Sequence, residues 1–347
     1  SLPANLRGNP AALDGKEIQW EPKISFKSAD QKTGALLGLY YFRSKQNEWV
    51  DMNARLGGRN RFNDKTETKA LFGEIRVTPL ENMEVTFAAR YEQERHQRHG
   101  GSSVLHIQRD KTDRVLLPKL DIAFDLDAQQ RIGFRTAHGY NPGGAGVTFL
   151  APYASYEYNP EYVWNYELYH RWSNAARTLE LNSNLFYNDY KDMQLAYANG
   201  LIGNAEKART YGAEFNLNWK ASEQWNVYAA LGLLKTKIKK YSARRDYENK
   251  ELSRAPNYRF SNGWEIGADA RFTDGYYSNY ANNATGKISA YAQTNAYLAY
   301  NFKQGRVTLF VDNLFNDRSA ISVPSTVRGE AALLQPRLFG ISTELRF

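Results

Sequence analysis

Aromatic and basic side chains concentrate in two stretches of the sequence, residues 139–160 and residues 96–113, and together they can bind a flat, anionic ligand. Arginine attracts an anion, and an aromatic ring packs against a flat molecular face. An aromatic girdle at a membrane interface is the alternative for the tyrosines, and a solvated basic loop is the alternative for the arginines. The candidate ligand-binding residues are Tyr140, Phe149, Tyr153, Tyr156, Arg95 and Arg98.

The sequence contains no pattern that predicts catalysis. Residues 143–146 read Gly-Gly-Ala-Gly, but no Lys-Ser/Thr follows, so this is not a phosphate-binding loop. Neither a Gly-x-Ser-x-Gly nucleophile motif nor a His-Glu-x-x-His zinc motif is present. The chain has no cysteine, which excludes a thiol nucleophile and a cysteine zinc site. We therefore expect neither an enzyme nor a bound metal or cofactor.

The elements that position these residues are amphipathic β-strands, because apolar and polar residues alternate with period two. Sustained helical periodicity is absent, so the sequence predicts an all-β chain. In the clearest strand the odd positions are Tyr211, Ala213, Phe215, Leu217 and Trp219, and between them lie Gly212, Glu214, Asn216 and Asn218.

Short and long connections alternate along the chain, as they do in a transmembrane antiparallel β-barrel. The short ones lie near residues 29–33, 79–82, 125–130, 173–177, 220–224, 261–263 and 303–305, and the long ones near 47–65, 96–113, 139–160, 193–207, 239–254, 280–287 and 316–333. These connections predict about fifteen strands, one of them short at residues 255–260. Because an odd number of antiparallel strands cannot close a regular barrel, we expect further strands to precede Ser1.

The composition fits a membrane barrel better than a soluble globule or a helical membrane protein. Aromatic residues make up 14% of 347 residues, yet the mean hydropathy is −0.65. No apolar run approaches the roughly 20 residues of a transmembrane helix. The net charge of +8 comes from basic residues scattered along the whole chain, which argues against nucleic-acid binding.

The C-terminal segments resemble those of a known family. Phe339, Ile341, Leu345 and Phe347 alternate up to the last residue, which resembles the assembly signal of outer-membrane barrels. Upstream, Asn313, Leu314, Phe315, Asp317 and Arg337 resemble the closing motif of TonB-dependent receptors, apart from Asn316, which intervenes before Asp317. Similar segments are residues 140–144, 161–167, 185–190, 207–214 and 254–256.

This resemblance implies a 22-stranded barrel plugged by an N-terminal domain. Residues 1–347 then form the C-terminal part of the barrel, with the plug and first strands absent and residues 18–27 as the eighth strand. The implied location is the outer membrane of a Gram-negative bacterium. The implied partners are outer-membrane lipid, lipopolysaccharide and a TonB-type energy transducer that acts through the missing plug.

The implied function is energy-coupled import of a scarce nutrient. A ferric siderophore is the commonest cargo of the family, and cobalamin, haem and glycans are alternatives. A passive porin-type channel and a soluble β-rich binding protein or enzyme remain open. The basic residues Lys239, Lys240, Arg244 and Arg245 fit either lipopolysaccharide contact or plain solubility.

Overall fold

The computed structural model describes residues 10–51, 58–148, 154–196, 201–239, 245–260, 262–278, 284–325 and 330–346. Strands account for most of these residues, and none of the described helices is long and apolar enough to cross a membrane. A short 3-10 helix lies at Ala284–Gly286. The strands are β1 (Ala11–Trp20), β2 (Lys23–Lys27), β3 (Thr33–Asp51), β4 (Arg59–Leu80), β5 (Met83–Gly101), β6 (His106–Asp125), β7 (Gln130–Asn141), β8 (Gly144–Val147), β9 (Ser155–Tyr158), β10 (Glu161–Ser173), β11 (Leu179–Ala196), β12 (Ile202–Lys220), β13 (Trp225–Lys239), β14 (Arg245–Arg259), β15 (Trp264–Thr273), β16 (Tyr276–Tyr277), β17 (Lys287–Ile288), β18 (Tyr291–Phe302), β19 (Gly305–Asp312), β20 (Ala320–Ser325), β21 (Glu330–Leu333) and β22 (Leu338–Leu345).

The main sheet has 16 strands in the order β1-β3-β4-β5-β6-β7-β10-β11-β12-β13-β14-β15-β18-β19-β22, with β2 also paired to β3. Strands β1 and β2 pair with successive parts of β3. Pro22 lies between them and has no N–H for the ladder, which accounts for the interruption. If β1 and β2 are counted as one interrupted strand, the main sheet has fifteen strands, which confirms the predicted number. The predicted first strand, residues 18–27, begins earlier, at Ala11.

All seven predicted short connections occur at turns between the strands of the sheet. The connections predicted at residues 47–65, 96–113, 193–207 and 239–254 are shorter than predicted, because the strands continue past the length that a membrane requires. Those predicted at 280–287 and 316–333 are longer, since residues 274–290 and 313–337 separate the strands of the main sheet there. The hairpin of β5 and β6 leaves only residues 102–105 between its strands, and β14 absorbs the strand predicted at residues 255–260. Continued pairing satisfies backbone N–H and C=O groups that would otherwise need water or side chains. The expectation of open loops at residues 47–65 and 96–113 was therefore wrong.

The chain divides into two compact units, the first of which comprises residues 1–122, 135–165 and 189–207. In this unit β1, β3, β4 and β5 form a ladder in which side chains alternate between two faces. One face exposes large apolar side chains, and the other carries polar and aromatic ones such as Tyr40, Arg90 and Glu92. The exposed apolar residues include Leu37, Leu39, Leu71, Ile75 and Phe87.

The second unit comprises residues 123–134, 166–188 and 208–347. Its strands β13, β14, β15, β18, β19 and β22 pair in sequence as an antiparallel ladder. Apolar side chains are again exposed on one face, including Phe215, Trp219, Ile266, Leu298, Leu309 and Leu345. On the other face Glu265 accepts hydrogen bonds from Tyr297 and Arg306. In each unit, large apolar side chains thus lie on one face of the sheet and polar ones on the other, as in the strands of a membrane barrel.

Candidate ligand-binding site

The hairpin of β8 and β9 occupies the stretch that the sequence singles out for its tyrosines. Gly144 lies opposite Tyr158 and Gly146 opposite Tyr156 in the antiparallel register. A Cβ on Gly146 would lie 2.5 Å from the Tyr156 hydroxyl oxygen. The glycine-rich segment therefore makes room for two tyrosine rings across the hairpin, a role that sequence reasoning missed.

Amide side chains from two other strands hold the base of this hairpin. Gln194 on β11 donates to the carbonyl oxygens of Pro142 (2.9 Å) and Asn159 (3.2 Å), which are the two ends of the hairpin. Asn204 on β12 accepts from the Asn159 N–H at 2.8 Å and donates to the Asn159 carbonyl at 2.9 Å. These bonds fix where the hairpin leaves the sheet.

A small apolar cluster lies under the hairpin. Phe62 on β4, Leu105 next to β6, Ile107 on β6 and Val147 on β8 are buried and contact one another. Phe62 is only 1% exposed. Since burying such side chains contributes about 1.5–3 kcal/mol each, the cluster holds the hairpin against the extended β4–β6 hairpins.

Arg98 lies beside this cluster, and both of its terminal nitrogens donate to carboxylates. Its guanidinium donates to Asp64 at 2.5 Å and to Glu48 at 2.8 Å, and it lies 4.6 Å from the centre of the Phe62 ring. Burial disfavours the charge of Asp64, but hydrogen bonds from His96 and Arg98 outweigh it and leave the pKa of Asp64 below its ordinary value. Arg98 is therefore held in one orientation as a charged, hydrogen-bonded group.

Arg109 is the most deeply buried basic residue of the described chain, at 1% exposure. Its Nη1 lies 3.1 Å from Nδ1 of His96, and its Nε lies 3.8 Å from a carboxylate oxygen of Glu157 on β9. Lys111 also contacts Glu157, at 3.0 Å. Glu157 reaches Arg109 from a segment that is distant in sequence, so the spacing of residues 96–113 alone gave no sign of this contact.

Two of the predicted ligand residues lie in this region, Arg98 against the Phe62 ring and Tyr156 opposite Gly146 in the hairpin. Tyr156 on β9 is close enough to Arg98 to interact electrostatically with it, and the Ile202 N–H donates to its hydroxyl. Burial raises the pKa of Tyr156, so its hydroxyl stays protonated. Tyr156 thus provides a neutral hydroxyl donor in the hairpin, and Arg98 provides a cation that Asp64 and Glu48 hold in place.

The other predicted ligand residues do not join this pair. Arg95 projects from the opposite face of β5 and pairs with Asp110 at 2.6 Å. Tyr140 packs 5.6 Å from the Tyr162 ring, and its buried hydroxyl has no hydrogen-bond partner among the described residues. Phe149 and Tyr153 lie outside the described residues. The opposite faces of Arg95 and Arg98 follow from their spacing of three along a strand.

Two arginine nitrogens beside this hairpin, Arg98 Nε and Arg109 Nη2, are without a hydrogen-bond partner among the described residues. Such donors suit an oxygen-rich anion, and both atoms are buried in this structure. The described residues contain no group of three His, Asp or Glu side chains that could hold a metal ion.

The predicted closing motif forms a turn after β19. Asn313 is buried, with φ of 50°, and its side chain donates to the carbonyl oxygens of Asp317 and Gln335 at 2.8 and 2.7 Å. Its oxygen accepts from the Asp317 N–H at 2.9 Å. The inserted Asn316 accepts from the Arg337 N–H at 3.1 Å. The turn ties the end of β19 to the start of β22.

The remaining described residues of the predicted motifs lie next to this turn and along β22. The Leu314 carbonyl accepts from Arg337, whereas Phe315 is exposed. Phe339, Ile341 and Leu345 are exposed apolar side chains on one face of β22, as the predicted assembly signal requires. Phe347 lies outside the described residues, as do Lys240 and Arg244.

The alternating faces, tight turns and paired strands define a class, the outer-membrane β-barrel. Residues 7–314 match the family model described as "TonB dependent receptor-like, beta-barrel", and the chain belongs to this family. The family resides in the outer membrane of Gram-negative bacteria and comprises receptors and transporters rather than enzymes.

The chain is similar in sequence to a curated receptor and in structure to solved receptors. The chain is 31% identical over 123 residues to the pesticin receptor of Yersinia pestis, covering 34% of this chain and 18% of that receptor. The structure superposes on the ferric yersiniabactin uptake receptor of Yersinia pestis with a TM-score of 0.76 and 20% identity, covering 97% of this chain and 55% of that one. The siderophore receptor PiuA of Acinetobacter baumannii gives a TM-score of 0.76 at 14% identity, covering 96% and 56%. The chain thus spans about half the length of these solved receptors.

Proposed function

We propose that the protein takes up a ferric siderophore across the outer membrane, with energy from a TonB-type transducer. The observation that carries the proposal is the family match over residues 7–314. Two of the structural relatives are named for siderophore compounds or siderophore uptake, which supports the cargo class by analogy. Cobalamin, haem and glycan cargo remain alternatives within the same receptor class.

The proposed ligand-binding element is the β8–β9 hairpin with the inner face of β5 beneath it. Tyr156 offers a ring and a protonated hydroxyl, and Arg98 offers a guanidinium held by Asp64 and Glu48. An anionic chelate presents oxygen atoms that such donors bind, and flat groups that stack on rings. Arg95 is left out of the site, because it projects from the other face of β5.

Ligand access requires movement of the hairpin. Arg109 is buried beneath it, and Glu157 on β9 supplies the carboxylate that faces Arg109 Nε. A chelate that carries its own negative charge can replace Glu157 at this position. The hairpin would then shift between a closed state held by Glu157 and a bound state held by the ligand.

A pair of variants on one strand tests the site. We expect Arg98→Gln to weaken uptake of a radiolabelled ferric siderophore by about tenfold or more, since a charge-assisted contact contributes about 1.5–3 kcal/mol. Arg95→Gln is the matched control, because it removes an ion-paired arginine from the opposite face and should leave uptake unchanged. Heat-dependent mobility on gels confirms that both variants assemble. Equal uptake by both variants would remove Arg98 from the site.

A conductance measurement separates the receptor from the porin alternative. A plugged receptor in a planar bilayer passes almost no ions, whereas a porin gives steady open channels. Dependence of uptake on the transducer is the second test: uptake should stop when the proton gradient across the inner membrane is collapsed. Uptake that continues without the gradient would indicate passive diffusion.

A further inference from the structure

Three lysines lie directly opposite one another on the apolar-bearing face of the first unit. Lys16 on β1 pairs in register with Lys45 on β3, and Lys45 pairs with Lys65 on β4. All three are exposed, and none has an ion-pair partner within the part of the chain that the structure describes. Like charges directly opposite across strands destabilise a sheet, so this lysine row needs a compensating anion.

The next two rows on the same face add further positive charge. Arg43 lies one row below the lysines, opposite Glu67, which in turn lies opposite Arg95. Of the carboxylates on this face, Glu67 contacts Lys69 and Asp110 contacts Arg95, both at 2.6 Å, and Asp14 lies one row above the lysines, opposite Asn47. We call the whole set the basic band: Lys16, Lys45, Lys65, Arg43, Arg95, Lys69 and Arg114.

The exposed apolar surface lies below the basic band, and Ile18, opposite Arg43, extends it into the lower part of the band. Trp20 and Tyr41 are register partners at its lower edge. In the row below, Leu39 pairs with Leu71, and Leu71 pairs with Tyr91, all about half exposed or more. Rows on one face lie about 6.6 Å apart, so the lysine row stands on the order of 20 Å above this apolar row. Aromatic rings followed by cations mark the boundary between hydrocarbon and headgroups.

We propose that the basic band binds the phosphate groups of lipopolysaccharide in the outer leaflet. The apolar rows face its acyl chains, and the band lies on the side away from the short turns, where the extended hairpins rise. A free phosphate ion fits less well, because the band is a flat, exposed surface beside apolar side chains. The proposal rests on the outer-membrane location and does not depend on the cargo.

The test compares two triple variants of the complete receptor, purified from outer membranes in mild detergent. Lys16→Gln, Lys45→Gln and Lys65→Gln together remove the lysine row. The matched control, Lys32→Gln, Lys220→Gln and Lys303→Gln, removes the same charge from exposed positions in two short turns and at the end of β12. Each protein is titrated with diphosphoryl lipid A, with dephosphorylated lipid A and with inorganic phosphate as competitor.

We expect the lysine-row variant to bind diphosphoryl lipid A about tenfold or more weakly, since each basic residue near an anionic lipid surface contributes on the order of a fivefold effect. The control should bind as wild type, and dephosphorylated lipid A should bind wild type as weakly as it binds the variant. Assembly is checked by heat-dependent gel mobility, and high salt should weaken wild-type binding independently of any mutation. Equal binding of the two lipids, or displacement by millimolar inorganic phosphate, would overturn the proposal.

Discussion

Replacing Asn313 should destabilise the barrel more than any other single change in the turn after β19. Asn313→Ala removes three hydrogen bonds, to the two carbonyl oxygens and from the one N–H described above. At about 0.5–1.5 kcal/mol each they contribute roughly 1.5–4.5 kcal/mol. Alanine also costs about 1 kcal/mol at a φ of 50°, where asparagine is tolerated. The expected loss is therefore roughly 2.5–5.5 kcal/mol.

Heat-dependent gel mobility and circular dichroism in detergent measure this loss at a fixed heating rate, because unfolding of such a protein is a rate as much as an equilibrium. We expect the apparent midpoint to fall by roughly 3–10 °C. Asn313→Gly relieves the backbone cost but keeps the loss of hydrogen bonds, so it should recover only about 1 kcal/mol of the effect.

Asn316 provides the control, because it also has a positive φ, 55°, but within the described residues its side chain accepts a single hydrogen bond, from the Arg337 N–H. Asn316→Ala should lower the midpoint clearly less than Asn313→Ala. Equal shifts for the two variants would show that hydrogen bonding by Asn313 is not what stabilises the turn.

Further predictions concern the hairpin of β8 and β9. Gly146→Ala should displace the Tyr156 ring and weaken uptake with assembly intact, whereas Gly34→Ala, whose Cβ would meet no atom within 3.6 Å, should have no effect on uptake. Gln194→Ala should free the base of the hairpin, and limited proteolysis within residues 139–160 should then be faster than in wild type. Because the pKa of Asp64 is lowered in the folded state, its ion pair with Arg98 stabilises the hairpin above about pH 4 and this contribution is lost as the pH falls through the lowered value. Protease protection of the hairpin in wild type should decline in that range, and Asp64→Asn should remove the pH dependence while lowering protection at neutral pH.

The strand architecture could be predicted from the sequence because it depends on local patterns. Alternation along residues 211–219 places Phe215 and Trp219 on the exposed face, as found. The seven short turns were also predictable, since each contains at least one glycine, asparagine, aspartate, serine or proline. Strand ends could not be predicted, because continued pairing beyond the membrane depends on the partner strand and leaves no compositional break.

The candidate site was only partly predictable. Side chains alternate between the two faces of β5, so Arg95 and Arg98, three residues apart, lie on opposite faces. This could have been predicted from the sequence. The partners of Arg98 and Arg109 were not, because Glu48, Asp64 and Glu157 come from three other strands. Contacts between distant segments depend on register, which a single sequence does not specify.

Lipid contact at alternate positions of β12 is the most direct test of the whole account. The chain contains no cysteine, so single cysteines at residues 213–219 can each carry a spin label in the receptor embedded in a bilayer. We predict that odd positions are more accessible to oxygen, which partitions into lipid, and even positions to a water-soluble nickel complex. Uniform accessibility along the strand, or oxygen access at Asn216 in place of Phe215, would contradict the account.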